Sequence, residues 1–65
     1  MKIRLLDCNG YVGMGSVKFP VEVEAEVSGQ SAYVPRHELH RIGATRGFHT
    51  LVAYCFSAES WEAVE

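Results

Sequence analysis

With 65 residues, the chain has room for one domain (1–65) around one small core, and a domain of this size buries only about 60% of its unfolded surface. At 48% hydrophobic and 22% charged residues, with a net charge of −2 and a pI near 5.9, it is too apolar for a disordered segment and too acidic overall for a typical nucleic-acid-binding domain. A deep substrate cleft would consume most of so small a core, which speaks against an enzyme.

In chain order, Lys2 to Asp7 predicts a first strand, with Ile3 and Leu5 inward and Lys2 and Arg4 outward. Leu6 breaks the alternation, as a bulge or a partly covered second face would. Asn9-Gly10 is tight-turn chemistry, because both residues tolerate positive φ. With Gly13 and Gly15 close behind, Asn9 to Ser16 is expected to be a loop or distorted hairpin. GYVGMG lacks the lysine and the following helix of a phosphate cradle.

Lys18 to Val27 predicts the clearest strand. Phe19, Val21, Val23, Ala25 and Val27 share one parity, while Lys18, Glu22, Glu24 and Glu26 share the other. Pro20 cannot donate to a ladder, so this strand lies at a sheet edge or enters its sheet after Pro20. If it pairs with the first strand, Lys2 and Arg4 can face its glutamates. Ser28-Gly29-Gln30 is a turn, and Ala32 to Val34 a short third strand.

From Pro35 to Ile42 the period changes to that of a two-turn helix, with Pro35 at its first position and Glu38 in its first turn. His40 and Arg41 fall in its last turn, and Gly43 where a left-handed cap belongs. Leu39 and Ile42 lay it on the sheet. After a connection over Ala44 to His49, Thr50 to Phe56 carries apolar residues on both parities, which predicts a strand covered on both faces. Trp61 to Val64 is expected to be a closing strand, or else Ser57 caps a terminal helical turn. The expected fold is therefore α+β, mostly β: a small curled antiparallel sheet or barrel of four to five strands with one short helix at about 35–42.

No apolar run is long enough for a signal peptide or a spanning helix, so a cytoplasmic location without membrane contact is expected. There Cys8 and Cys55 would be reduced thiols. His37 and His40, three residues apart, could join Cys8, Cys55 and His49 around a zinc ion. The chain has no C-x-x-C knuckle, however, and HELHR lacks the histidine spacing of H-E-x-x-H. No metal or cofactor is expected. Glu22, Glu24 and Glu26 form a solvated row on a strand face, and no cysteine or serine has a local signature joining it to a base.

The remaining charge feature is the basic middle. Arg36, Arg41 and Arg46, with His37, His40 and His49, face only Glu38 among acids between Gln30 and Thr50. The expected contact surface is Arg36, His37, His40, Arg41 and Arg46, where positive charge would steer an anionic partner. The predicted role is a non-enzymatic module acting by protein–protein contact. The alternative is a nucleic-acid-binding accessory protein using segment 36–49, with Phe48 as an aromatic beside its cations.

Over FPVEVEAEV, AYVPRHEL and HRIGATRGF the chain resembles a group of short bacteriophage and prophage proteins with no assigned activity. The matching residues are Pro20 to Ala25, Val34, Pro35, Glu38, Leu39, Arg41, Ile42, Gly43 and Ala44, then Tyr54 and Phe56. This resemblance implies expression inside a bacterial cell and a host or phage protein as partner. It brings no catalytic motif.

Overall fold

The computed structural model describes residues 1–44 and 47–64. Among these residues, six strands form two three-stranded antiparallel sheets. The first sheet has β1 (Lys2–Leu5) at its centre, with β2 (Val21–Glu24) on one side and β6 (Trp61–Ala63) on the other. In the second, β4 (Ser31–Pro35) lies between β3 (Glu26–Ser28) and β5 (Ala53–Phe56). The helix α1 (Arg36–Arg41) follows β4 directly, and single 3₁₀ turns occupy Val12–Met14 and Ala58–Ser60.

The strand expected over Lys18 to Val27 thus becomes two, and the count rises to six. The chain leaves the first sheet at Ala25 and enters the second at Glu26. At Ala25 the ladder to the first sheet ends in a backbone pair with Met1, in bonds of 2.9 and 3.0 Å. One long amphipathic run therefore serves both sheets, and no barrel closes around them. Pro20 precedes β2, an edge strand, as a residue without an N–H requires.

The period-two pattern is realised on both sheets. Ile3 pairs with Val23 and Leu5 with Val21 on the inner side, while Lys2 pairs with Glu24 and Arg4 with Glu22 on the outer side. Arg4 also lies opposite Glu62 of β6 and forms an ion pair with it at 2.6 Å. In the second sheet Val27, Ala32 and Phe56 form an inner row, followed by Val34 and Tyr54. Ile3, Leu5, Val23, Ala32, Val34, Leu39 and Phe56 make up the centre of the core, joined by Met14 from the first loop and Ala44 and Phe48 from the connection after α1. Tyr11, Phe48, Tyr54 and Phe56 pack edge-on or tilted, with centroids 4.7 to 6.1 Å apart.

Several expected boundaries move: β1 ends at Leu5 short of Asp7, β4 gains a residue at each end, α1 ends at Arg41 and β6 at Ala63. Pro35 ends β4 and caps α1 in an extended conformation instead of opening the helix. The strand expected from Thr50 begins only at Ala53, because Thr50 to Val52 turn out into solvent. The C-terminal alternatives are both partly met, since Ser57 precedes a 3₁₀ turn that leads into β6. No helix among the described residues is long and apolar enough to cross a membrane.

Candidate functional site

Helix α1 is short, and its position is set by side chains at both ends. At its C-terminus Gly43 adopts φ 102°, and the amides of Ala44 and Gly43 donate back to Leu39 and His40 at 2.8 and 3.1 Å. This is the hydrogen-bond pattern of a Schellman cap, with buried Ala44 closing over buried Leu39.

The same end carries a staple to β2. Glu38, with its side chain only 12% exposed, pairs with Arg41 at 3.0 Å. It also accepts the backbone N–H of Glu24 at 2.9 Å, and Arg41 donates to the carbonyl of Glu22 at 3.1 Å. Two backbone groups on the open edge of β2 are thereby satisfied by the helix, which blunts that edge against pairing with another chain. The Arg41 guanidinium, followed by the Glu24 amide, holds the Glu38 carboxyl below its ordinary value. A cleft of about 420 Å³ lies here, lined by Lys2, Glu22, Val23, Glu24, Glu38 and Arg41. Its most enclosed carboxylate is committed to an arginine and an amide, which makes it a poor proton acceptor.

The other end of α1 faces the connection that follows it. The Arg36 amide donates to the Val52 carbonyl at 2.8 Å, and its guanidinium donates to the His49 carbonyl at 2.6 Å. His40 Nε2 lies 2.7 Å from the Phe48 carbonyl. Since a carbonyl only accepts, that nitrogen carries a proton. The His40 and His49 rings approach to 5.5 Å. Tyr54 completes the support by accepting the Leu51 amide at 3.1 Å. Burial raises the Tyr54 hydroxyl pKa, but the donors of Leu51 and Thr50 and the nearby Arg36 charge outweigh it, so the net shift is downward.

The expected contact residues therefore divide. Arg36 and His37 are exposed, and His40 is half-buried and engaged with Phe48. Arg41 belongs to the staple, and Arg46 lies outside the described residues. Arg4 and Arg41 each have a carboxylate partner, whereas Arg36 has no carboxylate within 4.0 Å among the described residues.

The residues missing from the expected surface are His49, Leu51 and Val52. Leu51 is 55% exposed and Val52 80%, beside Arg36, where a covered strand had been expected. The only available signal was the departure from alternation, which a doubly covered strand shows equally.

A second polar cluster joins the first turn to the C-terminal 3₁₀ turn. Asn9, at φ 52°, accepts from Ser57 and from buried Ser60 at 2.8 and 3.0 Å. Together with Tyr11, Asn9 also donates to the Cys55 carbonyl on the open side of β5. The Ser60 hydroxyl, shared between Asp7 and Asn9, and then the Asn9 amide lower the Asp7 pKa. Cys8 and Cys55 are half-buried free thiols, and no group of three or more potential metal ligands is assembled among the described residues.

Compared with known protein families, curated proteins and solved structures, the chain matches none.

Proposed function

We propose that this chain is a small non-enzymatic binding module that acts by protein–protein contact through the Arg36 end of α1 and the connection over residues 47–52. The observation that carries this reading is the exposure of Leu51 and Val52 beside Arg36, an arginine without a carboxylate partner among the described residues. Two adjacent exposed aliphatic residues offer a partner apolar surface to cover, and a cation at their margin gives direction to an encounter.

The residues that carry the resemblance to short phage proteins are accounted for by folding. Val34 and Leu39 are core, Pro35 caps the helix, Glu38 and Arg41 form the staple, and Gly43 and Ala44 form the cap. A bacterial cell and a host or phage partner come from that resemblance, and a cytoplasmic location from the lack of a long apolar run in the sequence. A nucleic-acid role for segment 36–49 finds less support, because Phe48, the aromatic available for base stacking, is 1% exposed.

The test is affinity capture from bacterial lysate with wild-type protein and an Arg36→Glu, Val52→Ser double variant in parallel. A protein retained by the first and lost by the second is the expected result. Retention of single-stranded DNA instead, released steeply by salt, would favour the nucleic-acid reading.

A further inference from the structure

We infer that the partner is engaged through an acidic segment that also carries an aliphatic or aromatic residue. This inference rests on the protein-contact reading and specifies the chemistry of the partner.

Three observations converge. The first is the charge environment of Arg36. Its guanidinium is oriented by a neutral carbonyl at 2.6 Å, which positions the group without cancelling its charge. The rest of its planar donor fork can take a carboxylate in a bidentate contact. His37 follows it on an exposed turn of the helix, and His49 is exposed on the facing connection. The second is the apolar pair Leu51 and Val52, fixed in place because their backbone groups bond to Tyr54 and Arg36. A purely anionic ligand such as a phosphate backbone would leave those side chains in water, whereas an acidic apolar peptide covers them and satisfies the arginine. The third is the rest of the molecule. On the first sheet Arg4 and the Met1 ammonium are already matched by Glu22, Glu24 and Glu62, so an acidic segment is directed towards Arg36.

The probe is a displayed library of random linear peptides selected on the wild-type protein. The expected winners carry Asp or Glu next to Leu, Ile or Phe. A synthetic winner should lose about tenfold or more in affinity on Arg36→Glu, and similarly on Val52→Ser. Its binding should be unaffected by Glu62→Gln on β6. Should Arg36→Glu fail to fold by circular dichroism, Arg36→Gln provides the same comparison. Winners that are basic or wholly apolar, or failure to enrich any peptide, would overturn the inference. A folded Arg36 variant with undiminished affinity would overturn it too, while leaving protein contact standing at another surface. Tight, salt-sensitive binding of single-stranded DNA with no peptide enriched would remove both readings.

Discussion

Two arginines five residues apart on one helix have opposite fates. Arg41 meets Glu38 at 3.0 Å and the Glu22 carbonyl at 3.1 Å, so its charge is spent holding α1 against the edge of β2. The Arg36 guanidinium meets the His49 carbonyl and, among the described residues, no carboxylate, and the exposed Leu51 and Val52 lie beside it. The difference lies in what the neighbouring strand or loop offers. An edge strand has a free amide that recruits a carboxylate, and the carboxylate recruits an arginine. Here the loop turns the His49 carbonyl to Arg36, which orients the guanidinium and leaves its charge without a counter-charge among the described residues. The paired end is thus built for stability, and the open end leaves a cation and two aliphatic side chains in solvent.

The largest effect is expected beneath the paired end. Val23 is 1% exposed and lines the cleft below the staple. Val23→Asp should abolish cooperative thermal unfolding, because it buries an unpaired charge in a core with little margin. A native-like melt for this variant would mean that the inner parity of β2 is wrongly assigned.

Glu38→Ala should come next, at about 1 kcal/mol lost by chemical denaturation, since both the Glu24 amide and Arg41 lose a partner. The same staple predicts an acid limb. The folded Glu38 carboxyl lies below its ordinary value of 4.5. Its contribution to stability is therefore complete above that value and is lost as pH falls through the lower folded value. Asp7 and Glu59 shift in the same direction and add to the slope. Glu38→Gln should flatten part of the stability loss below about pH 4.5, leaving the remainder to those two carboxyls.

At the open end the balance reverses. Arg36→Glu and Val52→Ser should each change stability by about 0.5 kcal/mol or less in denaturant titrations, although both are expected to weaken peptide binding. A large stability loss on Arg36→Glu would show that this arginine too is structural, and the contrast between the two ends would collapse.

The smallest effect is expected on the outer face of β2. Glu24 is exposed and pairs with the Met1 ammonium at 3.2 Å, so Glu24→Lys should shift stability by no more than about 0.5 kcal/mol. Equal losses for Glu24→Lys and Val23→Asp would erase the distinction between the two faces of this strand.

Local pattern determined a good deal of this protein. The alternation of Phe19 to Val27, the Asn9-Gly10 turn, the helix with its Gly43 cap and the edge position after Pro20 all follow from side-chain periodicity and backbone preference, which act over a few residues. The placement of Arg36 and His37 on an exposed helix was readable for the same reason. Tertiary structure alone decided the rest. The division of one long run into β2 and β3 at Ala25 depends on which strands are there to pair with each half. Arg41 became structural because the amide of Glu24, far away in sequence, recruited Glu38. Leu51 and Val52 lie in solvent where the Arg36 amide, one residue past β4, meets the Val52 carbonyl and the Tyr54 hydroxyl takes the Leu51 amide. Contacts of this kind join residues far apart along the chain, and no local period encodes them.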